Sequence, residues 1–299
     1  MKKQKVVVIV GQTSSGKTAL SLALAQAVGG EIISADSRQV YRGMDIGSGK
    51  ATKEEQSLAS HHLLDVANPA SQVYTVADFV REGSEVLDTI ENRAVTPIVV
   101  GGTFLYIDAL LGKVSIPDVP PDAELRASLE KNTTEELYTM LAAQDARRAA
   151  DIDKHNRVRL IRALEIIAAL GAVPCAVPSE TYEVFTVGLV IAKEELRERI
   201  HARIVARLDE GMIEEVARLH EGGVSWERLN AFGLEYRYCA GYLQGSIPDK
   251  ETLIADLERD TMNFAKRQMT WLKRDNSVQW YPWNAHEQII ADVRAWLAK

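Results

Sequence analysis

The stretch VVVIVGQTSSGKT, residues 6–18, decides the fold of this chain. Its first five residues are apolar and mostly β-branched, as in a buried strand, and the loop that follows has the pattern G-x-x-x-x-G-K-T. Glycines let backbone N–H groups converge on phosphate oxygens, and a lysine at this spacing adds a positive charge. An apolar helical pattern over residues 19–28 then adds the positive end of a helix dipole. We therefore predict a strand, a phosphate-binding loop and a helix.

Each residue of this loop is a candidate phosphate ligand. The candidates are Gly11, Gln12, Thr13, Ser14, Ser15, Gly16, Lys17 and Thr18. Lys17 is also a candidate catalytic residue, because its charge can stabilise negative charge that develops on a phosphate. The Thr18 hydroxyl is the candidate ligand for Mg²⁺. The pattern leaves open which phosphate compound binds and which bond breaks.

Composition limits the function classes only loosely. The chain has 299 residues and a net charge of -7, which argues against a protein coated in nucleic acid but allows a local basic groove. Two cysteines, Cys175 and Cys239, are too few for a disulfide framework or a cysteine zinc module. No segment approaches the roughly 20 apolar residues that span a bilayer, so we expect a cytoplasmic protein without a membrane partner.

Further β-branched runs at residues 31–34, 97–100 and 184–191 alternate with helical patterns, which predicts an α/β fold with a mainly parallel sheet flanked by helices. A proline-rich entry and Ala-, Glu- and Arg-rich helical patterns then predict a smaller, mainly helical insertion domain at residues 114–183. The core domain would comprise residues 1–113 and 184–299. After the last strand we expect helices over residues 193–219, about 250–273, and 285–296.

Polar side chains follow two of these strands where they end. Asp36 comes directly after the second strand, where a carboxylate can take a proton from a substrate or bind metal-bound water; a helix N-cap is the simpler alternative. Thr103 follows a Gly-Gly turn after another strand, so we expect it at the same edge of the sheet. The adjacent His61 and His62 point to opposite sides of an extended chain, which favours a structural role over metal binding.

Six blocks, in this order, closely resemble the bacterial tRNA dimethylallyltransferases. The blocks are the phosphate loop, DSRQVYRGMDIG at 36–47, HHLLDV at 61–66, VGGTFLY at 100–106, and the later pair NRVRLIRALE at 156–165 and AKRQMTW at 265–271. The resemblance implies a P-loop NTPase-like core that moves a dimethylallyl group from its diphosphate to the exocyclic amine of the adenine 3′-adjacent to the anticodon. It also implies Mg²⁺ as cofactor, and as partners the tRNA anticodon stem-loop and dimethylallyl diphosphate; we expect a monomer.

The resemblance also assigns residues. Asp36 would deprotonate the amine, Thr103 would contact substrate, and Ser37, Arg38 and Gln39 would read the flipped base. The residues expected to contact tRNA in the insertion and the last long helix are Arg126, Asn156, Arg157, Val158, Arg159, Leu160, Lys266 and Arg267. Arg237 aligns with a diphosphate contact, although its segment departs from the family pattern: Glu235 stands where glycine is usual. Gln12 replaces a usual proline, and Ser48-Gly49 replaces Thr-Ala.

Alternatives remain for these basic residues and for the activity. His155, Arg159 and Arg162 share a helical stripe that suits a phosphate backbone, but they could instead pair with nearby acidic side chains. In the last long helix we expect Phe264, Met269 and Trp271 to pack against the core. A small-molecule P-loop kinase would share the first strand, loop and helix. An adenylate isopentenyltransferase acting on free nucleotide is the closer rival, and it has no need of a tRNA-binding surface.

Overall fold

The computed structural model describes residues 3–175 and 181–299. The chain divides into two compact units, the first formed by Met1–Leu111 and Ser179–Lys299, the second by Gly112–Pro178. The first unit is an α/β unit and the second is built from helices. Among the described residues, no helix is both long and apolar enough to cross a membrane.

The first unit contains a six-stranded sheet whose paired strands all run parallel. The strands are β1 (Gln4–Gly11), β2 (Gly30–Ser34), β3 (His61–His62), β4 (Thr96–Val100), β5 (Tyr182–Val190) and β6 (Val278–Pro282). Their order across the sheet is β3-β2-β4-β1-β5-β6. The carboxyl ends of all six strands therefore meet at one edge, where ligands bind in sheets of this kind.

Helices cover both faces of the sheet and form the second unit. Those of the first unit are α1 (Lys17–Val28), α2 (Lys53–Leu58), α3 (Val76–Asn92), α4 (Phe104–Leu110), α9 (Lys193–Asp209), α10 (Met212–Glu221), α11 (Trp226–Ala231), α12 (Leu234–Leu243), α13 (Lys250–Leu272) and α14 (His286–Leu297). Those of the second unit are α5 (Ala123–Leu129), α6 (Thr134–Gln144), α7 (Ala146–Asp151) and α8 (Arg157–Leu170). The predicted α/β class with a parallel sheet is confirmed.

The central strand shows why a continuous apolar run marks the core. Along β1, Val6, Val8 and Val10 belong to one hydrophobic cluster, whereas Val7 and Ile9 belong to another. Successive side chains of a strand point to opposite faces, so β1 is buried on both. The second unit has its own core, to which α8 contributes the completely buried Leu160.

The sequence located four of the six strands and missed the two at the edges of the sheet. β3 has two residues, and β6 is interrupted by exposed side chains, so neither has a long apolar run. The single helix expected over residues 193–219 is two helices, because Gly211 between α9 and α10 has a φ of 98°, a left-handed conformation. At β3, His62 Nε2 lies 2.7 Å from Glu31 Oε2 and His61 Nδ1 lies 2.8 Å from Ala59 O, so the two histidines have different partners.

Candidate active site

The phosphate loop joins β1 to α1. Gly16 immediately precedes α1 with a φ of 88° and provides no side-chain cap, so the first N–H groups of α1 are available to an anion. Lys17, the first residue of α1, folds back so that Nζ donates to Gly11 O at 3.1 Å and Gln12 O at 2.8 Å. The strand, the loop and the helix predicted from the sequence are all present.

Buried polar atoms surround this loop. The hydroxyls of Ser14 and Ser15 and the Nε of Arg203 are buried, and among the described residues they have no hydrogen-bond partner. An unsatisfied buried polar group costs about 1–3 kcal/mol, so groups of this kind are rare unless something else completes them. Two hydroxyls and a guanidinium N–H are suitable donors to phosphate oxygens.

Helix α9 lines the loop with arginines four residues apart, an arrangement that we had not inferred from the sequence. Arg203 Nη2 donates to Thr13 Oγ1 at 2.7 Å, and Arg199 Nη1 donates to Ser14 O at 3.5 Å. The Arg199 guanidinium also lies 3.5 Å from the ring centre of Trp283, which holds it in place. Residues at i and i+4 share a helix face, so the spacing of these arginines was a signal that the sequence contained.

We call Lys17, Arg203 and the hydroxyls of Ser14 and Ser15 the anion cradle. Its two positive side chains repel each other. Burial, followed by the neighbouring Arg203, lowers the pKa of Lys17 to about 8. Burial and then Arg207 lower the pKa of Arg203 to about 9. The Asp36 charge opposes both changes, so this carboxylate lies within electrostatic reach of the loop. A bound polyanion would stabilise the charged form of both side chains and so raise their pKa values.

Asp36 lies just beyond the end of β2. Its Oδ1 accepts hydrogen bonds from the backbone N–H groups of Arg38, at 2.8 Å, and Gln39, at 3.4 Å. The carboxylate therefore caps a turn, as in the simpler alternative, although no helix follows. Because only Oδ1 makes these bonds, the capping role is compatible with proton transfer at Oδ2.

Thr103 reaches the same edge from β4, as expected. Its Oγ1 accepts from Ser37 N at 3.0 Å and donates to Ser37 Oγ at 3.3 Å. This approach depends on Gly101, since a Cβ there would lie 2.0 Å from Ala35 O. The ends of β2 and β4 thus pass so closely that one polar cluster contains both Thr103 and the segment after Asp36.

Arg38 and Gln39, expected to read a base, are held by protein contacts. Gln39 Oε1 accepts from Ser34 Oγ at 2.8 Å, while its Nε2 donates to Gly49 O at 3.0 Å. Arg38 Nη2 donates to Ala231 O at 3.4 Å. Gln39 therefore connects the segment after β2 to the loop of residues 45–49, which we call the glycine loop.

A buried glutamate, not among the residues predicted from the sequence, holds the glycine loop. The carboxylate of Glu215, 3% exposed, accepts from the backbone N–H groups of the first three loop residues at 2.7–3.0 Å. It also accepts from Tyr236 Oη at 2.9 Å. Four donors satisfy this buried carboxylate, which therefore fixes the backbone of the loop.

In the second unit, two expected tRNA contacts have partners within the unit. Arg126 donates to both carboxylate oxygens of the buried Glu165, at 2.7 and 2.9 Å, and Arg162 donates to it at 2.9 Å. Burial alone would raise the pKa of Glu165, but these hydrogen bonds outweigh burial and lower the pKa to about 2. Arg157 donates to the backbone carbonyls of Glu130 and Asn132.

The start of α8 separates its structural residues from its exposed ones. Asn156 is the N-cap, since its Oδ1 accepts from Arg159 N at 3.1 Å, and Leu160 lies in the core of the unit. Val158 and the Arg159 side chain are exposed. Of this block, Val158 and Arg159 are therefore the side chains that can meet a macromolecule directly.

Helix α13 has an inner face on the phosphate loop and an outer basic face. On the inner face, Gln268 Oε1 accepts from Thr13 N at 2.8 Å. Lys266 and Arg267 are exposed. The expectation that Phe264 and Trp271 pack against the core is wrong, because they are 38% and 37% exposed.

These two rings lie beside arginines on the outer face. The guanidiniums of Arg267 and Arg274 are each 5.9 Å from the ring centres of Phe264 and Trp271, respectively. Arg237, expected to contact diphosphate, lies on α12, where its Nε donates to Asn230 O at 3.2 Å. Arg237 thus donates to a backbone carbonyl outside the phosphate loop, whereas Arg203 contacts that loop.

The described part of the chain offers few side chains that could bind a metal ion. No group of three or more His, Cys, Asp or Glu side chains in the described parts of the chain could hold a metal ion. Thr18, at the first turn of α1, is exposed beside the phosphate loop. Magnesium usually keeps several waters and binds through substrate phosphates plus one or two protein oxygens, and the exposed Thr18 hydroxyl could be one such oxygen.

Comparison with known proteins gives one family. The model of the family described as IPP transferase matches residues 39–275. The chain is 41% identical over 277 residues to tRNA dimethylallyltransferase 2 of Treponema denticola, covering 91% of this chain and 92% of the relative.

Solved structures agree. The full-length tRNA isopentenylpyrophosphate transferase from Bacillus halodurans aligns with a TM-score of 0.74 at 34% identity, covering 99% of this chain and 96% of that one. A eukaryotic dimethylallyltransferase acting on tRNA, at 24% identity, shares the fold with a TM-score of 0.82 over 99% of this chain and 80% of its own. With the family match spanning most of its length, the chain belongs to the IPP transferase family.

Proposed function

We propose that this protein is a tRNA dimethylallyltransferase. It moves the dimethylallyl group from dimethylallyl diphosphate to the exocyclic amine of the adenine that adjoins the anticodon of tRNA on its 3′ side. The observation that carries the proposal is the pairing of an anion cradle with a carboxylate. The cradle contains Lys17, Arg203 and the orphaned serine hydroxyls, and Asp36 lies within electrostatic reach of it.

The donor side of the reaction needs a site for a leaving group. The bond that breaks joins the allylic carbon to the diphosphate oxygen, so the diphosphate leaves intact with the electron pair. Lys17, Arg203, the N–H groups at the start of α1 and the hydroxyls of Ser14 and Ser15 stabilise the growing negative charge. Thr18 would hold Mg²⁺, which adds further positive charge at the diphosphate.

The acceptor side needs a base and an aligned amine. The adenine nitrogen forms the new bond to carbon and loses a proton, and Asp36 accepts that proton. Thr103 and Ser37, which are hydrogen-bonded to each other, contact the substrate beside that carboxylate. The target base leaves its stack to reach this site.

Exposed basic side chains favour tRNA over a free nucleotide as acceptor. Arg159 on α8 and Lys266 and Arg267 on α13 are exposed, and they can contact phosphates of an anticodon stem-loop. Phe264 and Trp271 add exposed rings next to arginines, a combination suited to unpaired bases. We also propose that the protein acts as a cytoplasmic monomer.

One experiment tests the proposal. The protein is incubated with Mg²⁺, labelled dimethylallyl diphosphate and either unmodified tRNA or AMP, and prenylated product is measured. We expect product when tRNA is the acceptor and none when AMP is. Asp36→Ala should lose product formation but retain tRNA binding. The control Asp209→Asn, which changes an exposed aspartate at the end of α9, should keep full activity. Product from AMP alone would support the adenylate isopentenyltransferase, and ADP formed from ATP without prenyl transfer would support a kinase.

A further inference from the structure

Arg207, the last of the α9 arginines, contacts the glycine loop instead of the phosphate loop. Its Nη1 donates to Gly47 O at 3.2 Å, and its side chain is only 12% exposed. The guanidinium also fills the space beside Gly49, because a Cβ on that glycine would lie 1.8 Å from Arg207 Nη2. The end of the glycine loop is therefore shaped around this arginine.

Glu235, in the first turn of α12, is the acidic partner of Arg207. Its Oε1 accepts from Arg207 Nη1 at 3.4 Å, and its side chain is mostly buried. The next residue, Tyr236, presses its ring against Gly47, where a Cβ would lie 2.8 Å from the ring. The first turn of α12 and the end of α9 thus hold the glycine loop between them.

The glycine loop in turn leads to the carboxylate at the site. Gly49 O accepts from Gln39 Nε2 at 3.0 Å, and Gln39 N donates to Asp36 Oδ1 at 3.4 Å. A continuous chain of contacts therefore runs from Glu235 through Arg207, the glycine loop and Gln39 to Asp36. Each link is a hydrogen bond or a close packing contact, so the two ends are physically connected.

We propose that Arg207 and Glu235 form a positioning pair that sets Asp36 for proton transfer by way of the glycine loop and Gln39. The pair governs the chemical step at the acceptor amine and leaves binding of the donor diphosphate nearly unchanged. This role rests on the proposed function of the site. In this role both side chains act through the glycine-loop backbone and not on the substrate directly.

A purely electrostatic effect of Glu235 on Arg203 is the competing explanation for the role of the pair. Glu235 also faces Arg203, whose pKa it raises against the effects of burial and of Arg207. If that were its whole role, removing the Glu235 charge would change donor binding first, since Arg203 belongs to the diphosphate cradle. A positioning role changes the rate of transfer instead. The two explanations therefore predict different kinetic constants.

The test measures single-turnover prenyl transfer to tRNA at saturating donor, together with the donor KM. For Glu235→Gln and Arg207→Met we expect transfer to slow about tenfold, since a misplaced catalytic group costs up to about a hundredfold, with donor KM within about twofold of wild type. Arg207→Lys, which keeps a donor able to reach Gly47 O, should regain most of the rate. Arg81→Met, an exposed ion-pair arginine on α3, is the control and should match wild type.

The double variant Arg207→Met with Glu235→Gln separates the explanations. We expect it to be as slow as Arg207→Met, because Gly47 O has lost its donor in both. Recovery to the wild-type rate would overturn the proposal in favour of the purely electrostatic effect, as would a tenfold change in donor KM at an unchanged rate. Thermal unfolding identifies any variant that does not fold, and Glu235→Gln and Arg207→Lys then carry the test. Failure of the proposed function is a separate outcome, in which wild-type protein makes no prenylated tRNA.

Discussion

Arg203 offers a sharp test of the cradle, because one substitution should weaken donor use while it stabilises the fold. Burial and Arg207 lower its pKa from the ordinary value of an arginine to about 9. At about 1.4 kcal/mol per pKa unit, holding this charge beside the loop costs at most about 5 kcal/mol. Hydration and relaxation reduce that cost, and Arg203→Met also loses the hydrogen bond to Thr13, worth about 1 kcal/mol. We expect Arg203→Met to raise stability by about 1–2 kcal/mol, or about 2–6 °C in Tm.

The same substitution removes a donor from the leaving group. Arg203 Nε is buried and unpartnered among the described residues, so a phosphate oxygen would accept a charged hydrogen bond there. Such a bond contributes about 1.5–3 kcal/mol, which corresponds to a loss of about 10- to 150-fold in kcat/KM for dimethylallyl diphosphate. Steady-state kinetics with varied donor and saturating tRNA measures it, and differential scanning calorimetry measures Tm.

The matched control is Arg197→Met on the same helix. Arg197 is 67% exposed and pairs with Glu258, so its loss should change neither quantity appreciably. A lower Tm for Arg203→Met, combined with donor kcat/KM within twofold of wild type, would refute the cradle: Arg203 would then be a structural residue and the orphaned polar atoms would have another explanation.

Three further predictions follow from single contacts. Lys17 is charged below its pKa of about 8 and loses its proton as the pH rises through that value, so donor kcat/KM measured from pH 6 to 10 should be highest at low pH and fall above about 8; a flat profile would exclude Lys17 from donor binding. Glu215→Gln turns an amide N–H toward backbone donors in a buried site and should lower the free energy of unfolding by about 2–4 kcal/mol in urea titrations, whereas a change below about 0.5 would contradict its place beneath the glycine loop. Gly101→Ala places a methyl group 2.0 Å from Ala35 O, so it should both lower Tm and slow transfer by moving Thr103; a variant with wild-type Tm would show that the strand ends separate at little cost.

The sequence predicted those parts of the site that lie next to a strand end. Asp36 lies just beyond β2 and Lys17 follows β1 after a short loop, and parallel strands bring their carboxyl ends to one edge, so local pattern and topology are enough to bring them together. Arg203 and Gln268 come from helices far along the chain, and their approach to the loop depends on tertiary packing that no local pattern specifies. Glu215 resembles any surface glutamate in sequence; only the burial of its helix face makes it the anchor of a loop 170 residues away.

Departures from the usual residues of a family are better judged in space than along the chain. Gly49 and Glu235 look unrelated in the sequence, yet both contact Arg207. An alanine at position 49 would collide with the guanidinium, and a glycine at position 235 would leave the buried arginine without its carboxylate, at a cost of several kcal/mol for an unpaired charge. The buried Arg207 guanidinium therefore needs both the missing side chain at Gly49 and the carboxylate of Glu235. Gly49→Ala or Glu235→Gly alone should thus lower the stability more than both changes combined with removal of the Arg207 guanidinium. Only the joint change leaves no collision and no unpaired charge.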